Sequence, residues 1–348
     1  MKVSDFDFDL PAHLIAQAPT PERGASKLLV LRKDSGRTEH AAVTDLPKIL
    51  QKGDLLVVND SKVFPARLLG VRVPSGGAVE CLLLCTQEDG HWDALVHPGQ
   101  KLKPGSRVVF RGRRHELHGE ILARHFHGRR TIKLWTEDGT NVEDAIDEIG
   151  HIPLPPYIKR NDEPADRDRY QTIYARERGS IAAPTAGLHF TPELLASLDE
   201  RGIERAAITL HVGYGTFQPI RVDQVEAHSA ERERFSIDEA TAEIINRAKR
   251  EKRRIIAVGT TTTRALESAA ISGNGAIIPR SEWTDLFIYP GFAFRIVDGL
   301  MTNFHLPQSS LLMLVSAFAG QDVVLAAYRE AVTRGYRFYS YGDAVVIL

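Results

Sequence analysis

The stretch GDLLVVNDSKVFPARL, residues 53–68, decides the fold because two kinds of sequence meet in it. Residues 55–58 form a short apolar run, which predicts a buried strand, and the turn formers Asn59, Asp60 and Ser61 follow it. Beyond residue 66, short β-type segments recur with turns at roughly ten-residue spacing. They are RLLGVRV, AVECLLLC, HWDALVH, RVVFRG, HELHGEILARH and RRTIKLWTED. This spacing predicts a small all-β sandwich or barrel, and we favour a barrel because closure leaves few exposed edges.

From about residue 149 the pattern changes to alternating helices and strands. It predicts helices over 192–201 and 238–251, from near Arg264, and over 310–319 and 323–334; the strands are ERAAITLHV, RRIIAVG and DAVVIL. Such alternation is typical of an α/β fold with a mostly parallel sheet. The segment before residue 66 has one strand of this kind and no core of its own. We therefore predict a discontinuous α/β domain, residues 1–65 and 149–348, with an inserted β-barrel domain, residues 66–148.

Composition narrows the class of protein. The 348 residues are 43% hydrophobic and 26% charged, with a formal net charge of −1, so a nucleic-acid partner must be held by a local basic surface. Cys81 and Cys85 are too few for a disulfide framework or a structural zinc site. The first residues do not resemble a signal peptide, and the longest apolar stretch, LLMLVSAFAG, is half the ~20 residues that span a bilayer. We expect a cytoplasmic protein with no membrane partner.

The stretch AAPTAGLHFTPELL, residues 182–195, combines a helix start with residues that the helix does not need. Thr191 is a candidate cap and Pro192 suits the first helical position. Immediately upstream lie Thr185, Gly187 and His189, next to backbone N–H groups that are free to bind a ligand. This loop is therefore a candidate binding site.

Two further turns are candidate ligand loops. HVGYGTF, residues 211–217, has a Gly-x-Gly turn after a strand, but Pro219 follows, so no helix begins there as a dinucleotide-binding turn would require. It remains a tight loop open to close approach by a ligand, or a plain turn. GTTTTRALES, residues 259–268, does lie between a strand and a helix, which suits an anion or a polar nucleotide edge. It lacks the lysine of a P-loop, and a threonine-rich cap is the alternative interpretation.

His189, His211 and His305 each lie beside a turn. None forms an i, i+4 pair and no HExxH is present, so a metal site is not expected. A general acid or base role is favoured because histidine titrates near neutral pH, although each could equally be a structural hydrogen-bonding residue.

Residues 111–133 carry seven Arg or Lys side chains against two Glu. Phosphate contact is the expected role, and a barrel could bring Arg113 and Arg114 to the same rim as Arg129 and Arg130. The equally basic RAKREKRR, residues 247–254, has a simpler explanation, because cations are favoured at a helix C-terminus.

Together these segments resemble one family, the S-adenosylmethionine:tRNA ribosyltransferase-isomerases of queuosine biosynthesis. The matching stretches run in order along nearly the whole chain; they are DFDLPAHLIAQAP, GDLLVVNDSKVFPARL, HIPLPPYIKR, RYQTIYA, APTAGLHFT, TLHVGYGTFQPI, VGTTTTRALES, YPGFAFRIVDGLMTNFHLP and RFYSYGDA. The β region matches least. The resemblance implies transfer of the ribosyl part of S-adenosylmethionine to 7-aminomethyl-7-deazaguanine at the tRNA wobble position, with loss of adenine and methionine, giving epoxyqueuosine. It implies no metal or redox cofactor, and we expect a monomer.

The resemblance also implies where the site lies. The expected catalytic residues are His189, His211 and His305, and Tyr214 and Phe217 could face the sulfonium through cation–π contact. The expected substrate-binding residues are Thr185, Gly187, Arg169, Tyr170, Gly213, Tyr214, Gly215, Phe217, Thr260, Thr261, Arg264 and Asn303. The expected tRNA-binding residues are Arg67, Arg113, Arg114, Arg129 and Arg130.

One departure from the family pattern follows His228. The family usually has Met and then a second His there, whereas this chain has Ala230 and Glu231. If that histidine titrates during catalysis, Glu231 must substitute for it, or the position is not catalytic. Two other functions stay open at this point: a conventional methyltransferase, disfavoured by the missing Rossmann turn, and a non-catalytic tRNA-binding protein.

Overall fold

The computed structural model describes residues 1–217 and 219–348, with only the backbone at His127 and Phe217. Before the barrel the strands are Lys27–Leu31 (β1), Thr38–Ala42 (β2), Leu55–Asn59 (β3) and Ser61–Val63 (β4). The barrel strands are Arg67–Val73 (β5), Ala78–Thr86 (β6), Trp92–His97 (β7), Arg107–Arg111 (β8), Glu116–Arg124 (β9) and Arg129–Trp135 (β10). After it come Glu177–Ser180 (β11), Glu204–Leu210 (β12), Glu233–Ile237 (β13), Ile255–Val258 (β14), Arg280–Thr284 (β15), Gly299–Asn303 (β16) and Ala344–Ile347 (β17).

The helices lie mostly in the second half of the chain. They are Leu46–Ile49 (α1), Val142–Ile149 (α2), Asp166–Arg169 (α3), Pro192–Glu200 (α4), Glu239–Arg250 (α5), Thr260–Ser272 (α6), Ser310–Ala319 (α7) and Gln321–Thr333 (α8). The predicted helices are confirmed within a few residues, except that α6 begins one turn before Arg264. Its start is fixed by Gly259, with φ +95°, and by the hydroxyls of Thr262 and Thr263, which donate to the carbonyls of Val258 and Gly259.

A nine-stranded sheet carries the α/β part, in the order β15-β13-β12-β3-β14-β16-β17-β1-β2. Strands β12, β3, β14 and β16 run parallel in its centre, while β13, β15 and β2 pair antiparallel at its edges and β17 is antiparallel to β16. The α/β class with a barrel is thus confirmed, but the sheet is mixed rather than mostly parallel. The sequence showed one strand before the barrel, whereas β1 and β2 also belong to this sheet.

The two faces of the sheet are covered by different helices. Successive side chains of a strand point to opposite faces, so Leu55 and Val57 of β3 pack with residues of α5 to α8, while Leu56 and Val58 pack with residues of α1 and α4. All four side chains are buried. This two-sided burial explains why β3 reads as a continuous apolar run.

The six predicted β segments form the closed barrel β10-β7-β6-β5-β8-β9, which confirms the barrel. Its interior is a separate hydrophobic cluster, and Ala145, Ile146 and Ile149 of α2 complete it at one end. The chain enters the barrel after β4 and returns at β11, and β4 and β11 pair in parallel. The domain limits at residues 65/66 and 148/149 stay a prediction.

In the described part of the chain, no single helix has the length and apolar character needed to cross a bilayer. The pair α7 and α8 meets that requirement only when taken together, and it is bent by 116°.

Candidate active site

The carboxyl ends of the central parallel strands place the candidate residues together. His211 follows β12, Thr260 and Thr261 follow β14, and Asn303 and His305 lie at the end of β16. Because these strands are parallel, all of these residues lie at one edge of the sheet, where α/β proteins bind ligands. The order of the motifs along the chain does not predict that they meet at one place, whereas the order of the strands in the sheet does.

A pocket at this edge, which we call the threonine pocket, spans about 480 Å³ including the solvent at its mouth. The amides of Thr260, Thr261 and Thr262 precede the first bond of α6, from Thr263 N to Gly259 O at 3.1 Å, so this wall offers helix N-terminal donors. The pocket is lined by Ala183, Pro184, Thr185, Ala186, Val212, Thr216, Gly259, Thr260, Thr261, Thr302, Asn303, His305, Leu311, Tyr339 and Ser340.

The three candidate histidines occupy different positions. His305 lines the threonine pocket, and its Nε2 lies 2.9 Å from the Thr302 hydroxyl; burial lowers the pKa of His305 to about 3. His189 is also buried, and burial, with the charges of Arg337 and Arg23, lowers its pKa to about 4. Its Nε2 accepts from the Asn303 amide at 3.3 Å. His189 therefore supports Asn303 from behind, outside the set of residues that line the threonine pocket.

His211 faces a different space. Burial and the nearby charge of Arg234 lower the pKa of His211, and its Nδ1 has no hydrogen-bond partner among the described residues. Gly179 packs against the ring, since a Cβ at that glycine would lie 2.9 Å from the imidazole. The His211 side chain is thus held in place with its Nδ1 buried and unpaired among the described residues.

Arg264 and Glu233 form a buried ion pair that holds the loop after β12. Arg264 Nη1 lies 2.7 Å from Glu233 Oε2, and the other carboxylate oxygen accepts from the Gly213 amide at 2.9 Å and the Thr216 hydroxyl at 2.8 Å. Sequence reasoning selected Arg264 and missed Glu233. The only signal would have been an acidic residue at a buried position of β13, and strand patterns do not reveal pairing across a sheet.

Several other predicted substrate residues are placed behind the site or in its walls. Arg169 donates to the carbonyls of Thr20 and Pro21, and Tyr170 is fully buried against Tyr341. A Cβ at Gly187 would clash with the Tyr174 hydroxyl, so this glycine serves packing. Arg169 lines a pocket other than the threonine pocket.

The residues of the loop over 213–217 line different cavities. Tyr214 lines the space between the sheet and the barrel, and Gly215 lies against Glu231, because a Cβ there would be 2.6 Å from the Glu231 Cβ. The side chain of Phe217, expected to face a sulfonium, lies outside the described part of the structure.

The space between the sheet and the barrel, which we call the interface cleft, spans about 1800 Å³ including the solvent at its mouth. Aromatic and basic side chains from both sides line it, including Trp92 and Arg129 of the barrel and Tyr214 and Trp283 of the α/β part. Trp283, which the sequence did not single out, is half exposed on the edge strand β15. Exposed aromatic faces beside arginines are what splayed-out bases bind.

The predicted tRNA-binding arginines are not equivalent. Arg130 is 1% exposed, and its guanidinium donates to the carbonyls of Gly99, Leu102 and Arg129, so the prediction that it contacts phosphate is wrong. Arg129 reaches across the interface cleft to Glu231, with Nη2 and Oε2 2.9 Å apart. Glu231, the departure from the family pattern, thus joins the two parts of the molecule.

The remaining arginines lie away from Arg129. Arg113 and Arg114 are in the β8–β9 turn, whereas Arg129 follows the opposite end of β9. The expectation that one rim holds both pairs is wrong, because consecutive antiparallel turns lie at opposite ends of a barrel. Arg67 is paired with Glu80 at 2.7 Å beside a neighbouring cleft.

The family model described as queuosine biosynthesis protein matches residues 3–347. The chain belongs to this family. This chain is 50% identical over 348 residues to a protein of Desulfitobacterium hafniense and 51% identical over 349 residues to one of Heliobacterium modesticaldum. Both are named S-adenosylmethionine:tRNA ribosyltransferase-isomerase, and the matches cover 100% of each chain.

The same fold occurs in a solved member of the family. The crystal structure of the S-adenosylmethionine tRNA ribosyltransferase of Thermotoga maritima matches with a TM-score of 0.54 and 39% identity, covering 99% of this chain and 100% of that one. Among the described residues no cluster of three or more His, Cys, Asp or Glu side chains has an arrangement that could hold a metal ion.

Proposed function

We propose that this protein transfers and isomerises the ribosyl moiety of S-adenosylmethionine onto 7-aminomethyl-7-deazaguanine at the tRNA wobble position, releasing adenine and methionine and producing epoxyqueuosine in tRNA. The observation that carries the proposal is the 50% identity, over the whole of both chains, to relatives named for this activity. The protein is then an enzyme of tRNA modification that consumes S-adenosylmethionine as a substrate.

The nucleoside part of S-adenosylmethionine fits the threonine pocket. Its donors are the α6 amides and the hydroxyls of Thr260 and Thr261, which suit ribose oxygens and ring nitrogens. Asn303 adds an acceptor, because its Oδ1 is buried without a partner among the described residues. These uncharged groups can fix the orientation of a neutral nucleoside.

The proposed chemistry begins at the ribose. A sulfonium acidifies the adjacent 5′ C–H, so a base is needed beside the ribose, and protonation must later assist the departing adenine. His305 lines the threonine pocket and burial keeps its imidazole neutral at pH 7, while its lowered pKa of about 3 makes it a weak base, so the reaction depends on the acidity that the sulfonium gives the 5′ C–H. We assign the first proton transfer to His305 and give His189 the role of positioning Asn303.

The tRNA is proposed to approach through the interface cleft. This cleft shares Val212 with the threonine pocket, so a base that stacks on the exposed Trp283 inside the cleft can approach the ribose. Single-stranded loops such as the anticodon loop expose bases for this kind of binding. We further propose that the enzyme works in the cytoplasm, as a monomer, without metal or redox cofactor.

The decisive experiment mixes the protein with S-adenosylmethionine and tRNA that bears the 7-aminomethyl-7-deazaguanine base, and measures free adenine and the modified nucleoside. Adenine should form only with that tRNA and not with tRNA that retains guanine at the wobble position. Equal turnover of both tRNAs, or formation of S-adenosylhomocysteine instead of adenine, would refute the proposal. Activity should persist in EDTA when the tRNA is shown to remain folded.

A further inference from the structure

A second pocket adjoins the threonine pocket, and we call it the arginine pocket. Its volume is about 620 Å³, and it shares Thr216 and Leu311 with the threonine pocket. It is lined by Gly215, Thr216, Pro219, His228, Ser229, Ala230, Glu231, Glu233, Arg264, Leu286, Phe287, Ile288, Ser310, Leu311 and Leu314. A ligand longer than a nucleoside can therefore extend from one pocket into the other.

One guanidinium nitrogen of Arg264, a residue that lines the arginine pocket, has no hydrogen-bond partner among the described residues. Nε donates to the Leu286 carbonyl at 2.9 Å and Nη1 to Glu233 at 2.7 Å, whereas Nη2 is buried with no partner among the described residues. The side chain is about nine-tenths buried. A buried guanidinium N–H without an acceptor is costly in the empty protein, and a bound anionic or carbonyl oxygen removes that cost.

The N-terminus of α7 supplies a second donor group to the same pocket. The Ser309 hydroxyl caps the Leu312 amide at 3.2 Å, and the first intrahelical bond runs from Met313 N to Ser309 O. The amides of Ser310 and Leu311, both pocket-lining residues, precede these bonds. A guanidinium and a helix N-terminus thus lie at one cavity, an arrangement that favours an anion.

The acidic side chains of the arginine pocket do not cancel this preference. Glu233 is bound by Arg264, the Gly213 amide and the Thr216 hydroxyl, and Glu231 is paired with Arg129. Both charges are therefore compensated within the protein.

The threonine pocket lacks such a charge. Its lining residues include no Arg, Lys, Asp or Glu, and the lowered pKa of His305 keeps that ring neutral. Between the two adjoining cavities, only the arginine pocket offers a cation. The charged end of a shared ligand therefore belongs there.

We propose that the arginine pocket binds the methionyl end of S-adenosylmethionine, with its α-carboxylate on Arg264 Nη2 and the amides of Ser310 and Leu311, while the nucleoside occupies the threonine pocket. This assignment rests on the proposed function, since it specifies how the same substrate is held. The sulfonium then lies near the shared wall of Thr216 and Leu311, and methionine leaves from the arginine pocket after the ribosyl group has moved.

The test compares equilibrium binding of S-adenosylmethionine and decarboxylated S-adenosylmethionine by calorimetry. The wild-type protein should bind the decarboxylated compound roughly 10- to 100-fold more weakly, the loss expected for charge-assisted hydrogen bonds. The double variant Arg264→Gln with Glu233→Gln, which removes both charges of the pair together, should lose most of this difference and keep only what the α7 amides contribute. Glu233→Gln alone is the matched control, because it keeps the guanidinium, and it should retain the discrimination.

The possible outcomes distinguish a failure of this subsite assignment from a failure of the proposed activity. If the wild-type protein binds both compounds equally, or if the double variant discriminates as strongly as the wild type while unfolding cooperatively, the carboxylate does not bind at Arg264 and the assignment is overturned. Adenine release would still support the function. If the wild-type protein neither binds S-adenosylmethionine nor releases adenine, the function fails and this inference fails with it.

Discussion

His305 and His189 are imidazoles that burial keeps neutral. Their pKa values of about 3 and about 4 lie below the ~6.5 of an unfolded histidine. Below pH 6.5 the unfolded chain therefore takes up protons that the folded protein does not. Their stabilising contribution is complete above the unfolded value and is lost as the pH falls through the folded values.

We expect the free energy of unfolding to fall from pH 6.5 towards pH 4, by up to about 1.4 kcal/mol per pH unit for each of these histidines. Urea unfolding of the wild-type protein and of His305→Asn at pH 7, 6 and 5 measures this. The variant should show the shallower decline, since it lacks one of the two groups. Parallel curves for the two proteins would contradict the account.

The buried contacts of Arg130 predict that it stabilises the fold, whereas the sequence predicted that it contacts phosphate. Arg130→Ala removes a buried guanidinium and leaves the carbonyls of Gly99 and Leu102 without that donor. We expect a loss of about 2–4 kcal/mol in unfolding free energy. Thermal unfolding compared with the exposed Arg111→Ala measures the effect, and a variant as stable as this control would show that the buried contacts contribute nothing.

At the scale of elements, the loop over 213–217 depends on two glycines in different ways. A Cβ at Gly215 would lie 2.6 Å from the Glu231 Cβ, whereas a Cβ at Gly213 would lie 3.7 Å from its nearest neighbour, which is ordinary contact. Gly215→Ala must therefore displace Glu231 or the loop, and Gly213→Ala need displace nothing.

We expect Gly215→Ala to slow adenine release roughly 10- to 100-fold, the cost typical of a misplaced site. Gly213→Ala is the matched variant and should remain close to the wild-type rate, because it keeps the amide that donates to Glu233. Equal rates for the two variants would mean that the loop can shift without consequence.

The elements also show what sequence reasoning can reach. The barrel strands were readable because short β-type segments recur between clear turns at roughly ten-residue spacing, and α4 and α5 because caps and apolar faces mark them. Strands β2 and β15 were not readable, since edge strands with sequences such as TEHAA and RSEWT have no apolar run. The site loops were found from Gly, His and Thr residues. The Arg264–Glu233 pair joins α6 to β13, and no local pattern encodes such a contact between a helix and a strand distant in sequence.

At the scale of the whole molecule, the two groups of exposed arginines are separated by the length of β9, about 30 Å for nine residues. Arg129 lies at the interface cleft, whereas Arg113 and Arg114 lie at the far end of the barrel. A tRNA whose wobble base enters the cleft therefore has Arg129 nearby.

We expect Arg129→Ala to reduce the slope of log affinity for tRNA against log salt by about 0.7–0.9, the value for one phosphate contact. The double variant Arg113→Ala with Arg114→Ala should leave the slope unchanged. Filter binding at several salt concentrations measures both. If instead the double variant reduces the slope and Arg129→Ala does not, the tRNA binds at the far end of the barrel and the Arg129–Glu231 pair is a structural link alone.

The pairing of β1 with β17 has a consequence for synthesis on the ribosome. Residues 28–31 pair with residues 344–347, so the sheet cannot be completed until the last residues of the chain emerge. Every strand of the barrel, by contrast, lies within residues 67–135. At ~5–20 residues per second, the roughly 200 residues that follow take about 10–40 s to make. During that time the nascent chain can carry a closed barrel while β1 and β3 still await partners, and a chain cut short before residue 344 leaves β1 with one edge open.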